Sequence, residues 1–203
     1  MSVTLKPSKP VNLRRTKRVE TMRAVQEVAL DLFECRGFDE VPIEEIAAKA
    51  RVGVATVYRH FGTKERLVLW DEYDPQLLAA LAIRLEGSPP LEALRAVVAS
   101  GLASVDSKDA GRVLRRGRLI AAHPGLRVAS ASDLAAMRDT LAKLLVTAGS
   151  VGDELEAQVV AGALVATLEA AIWHWVAGGG RSTLRQTLTM AFRRLERLRA
   201  KRP

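Results

Sequence analysis

The sequence predicts an all-α protein with an N-terminal helix-turn-helix domain and a larger C-terminal helical domain. Apolar residues recur at steps of three and four in the first seventy positions, as on amphipathic helices. From residue 75 onward no segment alternates like a strand, and glycine- or proline-bearing breaks separate further helical patterns. The 203 residues, 48% of them hydrophobic, suffice for two domains with buried cores.

An apolar stripe and two breakers define the first two helices. The stripe of the first helix consists of Val25, Val28, Ala29, Leu32 and Phe33. Gly37 follows it and can adopt the left-handed conformation that ends helices. Pro42 suits the first position of the second helix, where its missing N–H is not needed. Ile43, Ile46 and Ala47 then give the second helix one apolar face.

The third helix, predicted at Val54–Phe61, has a polar surface that no core covers. Val57 and Phe61 are four residues apart and face inward. The outward side chains are those of Thr56, Tyr58, Arg59 and His60. Such a helix suits the major groove of DNA, because the base edges there present a readable pattern of donors and acceptors.

Three motifs are spaced along this region. They read GF-x-x-V-P-I-x-x-I-A-x-x-A-x-V, then G-V-A-T-V-Y-R-H-F, then G-T-K-E-R-L. Over roughly residues 18–70 they resemble the DNA-binding domain of the TetR family of bacterial transcriptional regulators. The resemblance implies a homodimer that binds a palindromic operator in double-stranded DNA and takes a small-molecule effector in its C-terminal domain. It implies base contacts from Val54, Ala55, Thr56 and Arg59, phosphate contacts from Tyr58, His60 and Lys64, and a place for Thr63 among the DNA-binding residues.

Several of these polar residues have a structural alternative. Tyr58 can pack half-buried on the first helix, Arg59 can be a solvated charge, and His60 can be an ordinary helix-end residue. Lys64 opens a fourth helix, which Thr63 caps and which we expect to run to about Asp74. A positive charge at a helix start is unfavourable for the helix dipole, so Lys64 favours an anionic partner.

The turn before the third helix departs from the family pattern. The usual Gly-Val-Ser is replaced by Arg51-Val52-Gly53. If Arg51 adopts the left-handed conformation, the strain is about 1 kcal/mol. Gly53 caps the third helix less well than serine, by roughly a few tenths of a kcal/mol.

Positive charge is concentrated at the chain ends. The formal net charge is +8, yet residues 19–75 hold seven basic and twelve acidic side chains. Residues 1–18 hold six basic and no acidic side chains. We interpret residues 1–17 as a basic flexible arm that adds phosphate or minor-groove contacts to the helix-turn-helix domain at 18–74. A solubilising tail is the alternative.

The other features of composition favour a cytoplasmic protein. A single cysteine, Cys35, excludes an internal disulfide and is predicted to be a small core residue of the first helix. The first residues lack the apolar run of a signal peptide. Residues 157–176 are apolar enough to raise the question of a membrane span, but Gln158, Glu169 and His174 interrupt them. We predict a buried helix there.

The C-terminal domain, placed at residues 75–203, is predicted to hold six helices. They cover residues 76–86, 91–105, 110–122, 133–148, 153–177 and 183–200. The fifth is apolar nearly all round, and Gly162, Ala166 and Ala170 would let another helix approach closely. We expect it to form a four-helix dimer interface with the apolar face of the last helix, around Leu188 and Phe192.

A ligand site is predicted around a basic helix and a tryptophan. Arg112, Arg115 and Arg116 share a face, which is either solvated or the basic mouth of a site for an anionic ligand such as an acyl-coenzyme A. Two segments, RRGRLIAAHPGLR and AAIWHWVAGGG, resemble the effector domain of regulators akin to the mycofactocin regulator, for which acyl thioesters are implied. Trp173 and Trp175 cannot face one core, and Trp173 is the candidate ligand contact.

These features predict a ligand-responsive dimeric transcriptional regulator. We expect a repressor that a small lipophilic or acyl-coenzyme A-like effector releases from DNA by moving the fourth helix. A constitutive DNA-binding dimer, an activator and a helical enzyme are the alternatives. The sequence has no phosphate-binding glycine loop or nucleophile motif, so no catalytic residue and no cofactor is predicted. His60, His123 and His174 lie far apart, so no metal site is predicted.

Overall fold

The computed structural model describes residues 13–71, 74–103 and 107–200, and within these ranges the only regular elements are helices. The predicted all-α fold class is confirmed. The helices are α1 Leu13–Arg36, α2 Ile43–Lys49, α3 Val54–Phe61, α4 Lys64–Leu69, α5 Asp74–Leu85, α6 Pro90–Ala103, α7 Ser107–Ala122, α8 Pro124–Thr147, α9 Glu154–Ala177 and α10 Leu184–Ala200. They form two compact units, one ending at Leu67 and one beginning at Val68, so the division falls within α4.

The N-terminal unit is built on α1, which packs against α2, and α2 in turn packs against α3. Val25 and Phe33 of α1 are buried, as are Ile46 of α2 and Val57 of α3. Cys35 is exposed, so its prediction as a core residue is wrong. It lies two residues after Phe33, and a helix turns about 200° over two residues.

Helix α1 begins earlier than the sequence analysis expected. It starts at Leu13, so Arg15, Lys17 and Arg18 lie on a helix, and the irregular arm predicted for residues 1–17 is wrong for residues 13–17. No glycine or proline occurs between residues 11 and 36, and nothing in that stretch therefore stops the helix. The rest of the predicted arm, residues 1–12, lies outside the described residues.

The turn between α2 and α3 is a Schellman motif with an arginine in the position that usually holds glycine. The Val52 N–H donates to the Ala47 carbonyl at 3.0 Å, and the Arg51 N–H donates to the Ala48 carbonyl at 3.1 Å. Arg51 has φ 57°, the left-handed conformation considered from the sequence. Among the described residues it is the one non-glycine with positive φ.

Three other boundaries differ from the sequence-based expectation. Pro42 is the N-cap of α2, one position before the predicted one. Helix α4 ends at Leu69, well before Asp74. Helix α8 begins at Pro124 instead of residue 133, because His123 is its N-cap and accepts a hydrogen bond from the Leu126 N–H at 3.2 Å. The His-Pro-Gly break therefore ends α7 and starts α8 at once.

The core of the C-terminal unit lies around α9, which packs against α7, α8 and α10. Trp175 is buried there, and its indole N–H donates to the Ser182 carbonyl at 2.7 Å. Leu184, Leu188 and Phe192 of α10 are buried in the same core. The prediction that this face of α10 forms a dimer interface is therefore wrong, because its own domain already covers it.

One side of α9 carries an uncovered apolar stripe. Leu155 is 73% exposed and Val159 is 62% exposed. Ala163, Ala166 and Ala170 continue the stripe at steps of three and four and are also exposed. By length and composition α9 is long and apolar enough to cross a membrane. Its opposite face is buried in the domain core, as expected for a core helix with one open side.

We expect Arg51→Gly to stabilise the protein by about 0.5–1 kcal/mol. Left-handed strain at a non-glycine residue is about 1–2 kcal/mol, and the extra chain entropy of glycine offsets roughly 0.5–1 kcal/mol of the gain. Urea unfolding followed by circular dichroism measures the difference. Lys49→Gly, in the right-handed backbone of α2, is the matched control and should destabilise. An Arg51→Gly protein no more stable than its parent contradicts the strain argument.

Candidate nucleic-acid interface and ligand cavity

Helix α3 separates a buried face from an outer face. Val57 and Phe61 anchor the helix in the N-terminal unit. The outer face consists of Val54, Ala55, Thr56, Tyr58, Arg59 and His60, all of them exposed or half-buried. Tyr58 is 47% exposed, so about half of its side chain is accessible from outside the protein. The Arg59 Nη2 donates to Thr56 Oγ1 at 3.3 Å, so the guanidinium and the hydroxyl lie side by side on this face.

Positive charge gathers at the C-terminal end of α3. The pKa of His60 lies below 6.5, first because of desolvation and then because Arg18 and Arg59 repel its protonated form. Arg18 on α1 is therefore an electrostatic neighbour of the α3 outer face. The candidate interface thus has a cation from a second helix beside it, even though the helix-turn-helix region has an acidic balance.

Lys64 has structural partners that the sequence reasoning missed. Its Nζ donates to the Asp39 carbonyl at 3.1 Å and lies 4.7 Å from the centre of the Phe38 ring. These contacts account for a cation at this helix start without an anionic ligand. Thr63 caps α4 as predicted, its Oγ1 accepting from the Arg66 N–H at 3.4 Å.

The C-terminal unit contains two neighbouring cavities of about 180 Å³ and 210 Å³. Six residues line both: Asp71, Val113, Leu134, Met137, Glu169 and Ile172. The larger is lined mainly by aliphatic side chains of α5, α6, α8, α9 and α10. The smaller adds polar groups, including Arg116 and Asp133. Together they offer a mainly apolar volume lined by a few charged groups, which is the usual composition of a ligand site.

Arg116 fixes the end of α4 to the wall of the smaller cavity. Its Nε donates to the Val68 carbonyl at 2.7 Å, and its Nη2 donates to the Leu69 carbonyl at 2.9 Å. Its Nη1 forms an ion pair with Asp71 at 2.9 Å. The next residue, Gly117, lets α7 approach α9 closely, since a Cβ there would lie 2.5 Å from a methyl group of Val176.

The structure brings together two of the four predicted ligand-binding residues. Arg116 and Trp173 both line the smaller cavity. Arg112 is only 8% exposed, is paired with Asp109 at 2.8 Å, and lines neither cavity. Arg115 is half-buried and also lines neither. The carboxylates of the cavity wall were not found from the sequence, because they come from three separate segments.

Two family models match the chain. The model described as bacterial regulatory proteins of the tetR family covers residues 26–69, and the model of the MftR C-terminal domain covers residues 88–200. The second match spans more than half of the chain. The chain therefore belongs to the TetR family of bacterial regulatory proteins, and its C-terminal domain is of the MftR type.

Two bacterial transcriptional regulators are similar to this chain. The chain is 27% identical over 164 residues to the putative mycofactocin biosynthesis transcriptional regulator MftR of Mycobacterium tuberculosis, a match covering 79% of this chain and 82% of MftR. It is 31% identical over 121 residues to the transcriptional regulator TcmR of Streptomyces glaucescens, covering 56% of this chain and 54% of TcmR. The match thus spans about half the length of TcmR.

A solved structure supports the fold. The transcriptional regulator FadR from Bacillus subtilis, in complex with stearoyl-CoA, aligns with a TM-score of 0.56 and 17% identity over 84% of this chain and 95% of that chain. At this identity the likeness shows a shared fold and no more.

We expect the pKa of His60 to lie below 6.5 in the free protein and to rise in the Arg18→Ala variant, since that variant removes a repelling charge. Because the folded-state pKa is lowered, the unfolded chain binds more protons, and the free energy of unfolding falls as pH drops through about 6.5. NMR titration of the imidazole measures the pKa. Arg36→Ala, at an arginine held by Glu45, should leave it unchanged. A His60 pKa at its ordinary value contradicts this electrostatic account.

Proposed function

We propose that this protein is a dimeric, ligand-responsive transcriptional repressor whose α3 outer face reads a palindromic operator. The observation that carries the proposal is the division of α3 into an anchored face and an outer polar face. Arg59 has the length and donor geometry to reach guanine, and Tyr58 and His60 flank it for contacts with phosphates. Membership of the TetR family supports this use of the helix.

The proposed dimer interface is the exposed stripe of α9. Its centre is made of Ala163, Ala166 and Ala170, whose small side chains permit a close helix–helix approach, and Leu155 and Val159 extend it. A second copy of the chain is the natural occupant, because a two-fold axis running beside the stripe pairs it with the same stripe of the other copy. Two α3 helices about 34 Å apart would then meet successive major grooves.

The proposed effector is a small lipophilic molecule that enters the two cavities. Their walls are mainly aliphatic, and Trp173 lines the smaller one. Arg112 is paired with Asp109, so an acyl-coenzyme A effector would meet Arg116 as the arginine of the cavity wall. A constitutive DNA-binding dimer would have no need of such cavities, and they therefore favour a responsive regulator.

The direct test is selection of duplexes from a random-sequence library by the purified full-length protein. We expect an enriched sequence with two-fold symmetry. Tyr58→Ala combined with Arg59→Ala should reduce affinity for that duplex about a hundredfold or more, because each base or phosphate contact contributes roughly 1–3 kcal/mol. Fluorescence anisotropy measures the affinity.

Arg84→Ala, which removes one exposed charge from α5, is the control and should bind nearly as its parent does. If the double variant stays folded and dimeric yet binds the selected duplex normally, α3 is not the reading element. If the parent protein enriches no duplex at all, the proposed function is wrong.

Ala166→Arg should convert the dimer to a monomer. It would place an unpaired charge in an interface built from small apolar residues, a change that costs roughly 3–5 kcal/mol when the charge is buried. Sedimentation equilibrium measures the mass of the assembly. Operator affinity should fall when the dimer is lost, because the two α3 helices that bind the half-sites are no longer linked. Ala79→Arg, at an exposed alanine on α5, should leave the dimer intact. A dimeric Ala166→Arg protein places the interface elsewhere.

A further inference from the structure

Three successive carbonyls at the end of α4 are held by side chains of two different units. In the N-terminal unit, the buried side chain of Gln26 donates to the Leu67 carbonyl at 2.9 Å. In the C-terminal unit, the Arg116 guanidinium donates to the carbonyls of Val68 and Leu69. The last four carbonyls of a helix have no intrahelical partner, so these side chains supply what the helix itself cannot.

The same guanidinium is part of the ligand cavity. Arg116 and its partner Asp71 both line the smaller cavity, together with Leu69 at the end of α4. Arg116 is 13% exposed and Asp71 is 24% exposed, so both sit at the edge of the apolar volume with little water around them. A group entering this cavity must therefore pack against the ion pair that holds the helix end.

We propose that Arg116 is the positioning residue through which occupancy of the cavity acts on α4. A guanidinium is planar and presents its N–H groups in a fixed fork, so it can hold two carbonyls and one carboxylate only in one orientation. If a ligand displaces or tilts the guanidinium, Arg116 loses its hydrogen bonds to both carbonyls and its ion pair with Asp71 together. The end of α4 is then released, and the helix carries this displacement to Leu67 and the N-terminal unit.

This inference rests on the proposed function and adds its mechanism. Lysine in place of Arg116 would have a single ammonium on a flexible stem, which cannot hold both carbonyls and Asp71 at once. The contacts are between α7 and the end of α4, so they act on α4 without touching the α3 outer face. Loss of the fork should therefore change the response to cavity filling and not the ability to recognise DNA.

A double-mutant cycle tests the proposal without knowledge of the effector. Met137 lines both cavities, and Met137→Trp fills them with a built-in side chain that replaces the ligand. Operator affinity is measured by anisotropy on the duplex selected as above for the parent, Met137→Trp, Arg116→Met and the double variant. Arg118→Met, at an exposed arginine on the same helix, replaces Arg116→Met in a matched control cycle.

We expect Met137→Trp to weaken operator binding at least tenfold in the parent and in the Arg118→Met background. In the Arg116→Met background the loss should shrink to about twofold. The tenfold loss of operator affinity in the parent corresponds to about 1.4 kcal/mol of coupling between cavity filling and DNA binding, within the usual allosteric range. Arg116→Lys serves as the second variant if Arg116→Met does not fold, and should show the same loss of coupling.

Two outcomes would overturn the inference while leaving the proposed function intact. One is an equal loss from Met137→Trp in both the parent and the Arg116→Met background, which means that the signal takes another route. The other is a Met137→Trp protein that binds the operator as its parent does, which means that filling the cavities does not reach α4. A parent protein without sequence-selective DNA binding refutes the proposed function instead.

Discussion

The last carbonyls of the short helix α4 need hydrogen-bond donors from elsewhere in the chain, and Arg116 of α7 donates to two of them. Helix α4 has six residues, and most of its carbonyls therefore lack partners within the helix. Arg116 satisfies two of them from α7, and its own position depends on the close approach of α7 to α9 at Gly117. One guanidinium thus connects α7, the wall of the smaller cavity and the end of α4.

The turn before α3 forms with backbone strain at Arg51. The Schellman hydrogen bonds close the end of α2, and Arg51 adopts a left-handed backbone to complete them. Such strain persists only where the surrounding structure determines the conformation. The buried Val57 and Phe61 provide that determination, because they hold α3 in the core whatever residue occupies the turn.

Local patterns made the N-terminal unit largely predictable. The stripe around Val25 and Phe33, the break at Gly37 and the limits of α3 all depend on neighbours within a few residues in the sequence. The end of α4 was not predictable, since nothing in the sequence near Leu69 announces a partner from Arg116, 47 residues away. The assignment of α10 to a dimer face failed for a related reason: periodicity identifies an apolar face but not what covers it.

Helix α9 lines the smaller cavity on one side and carries the uncovered apolar stripe on another. Its Ile172 and Trp173 border the smaller cavity, whereas Ala166 and Ala170 lie on the open stripe proposed for a second subunit. If α9 moves as a rigid helix, a displacement at the cavity also displaces the stripe. Ligand uptake and subunit association would then be thermodynamically linked, so that the apparent affinity for a small molecule depends on protein concentration. In a cell, the abundance of the regulator would itself tune its sensitivity.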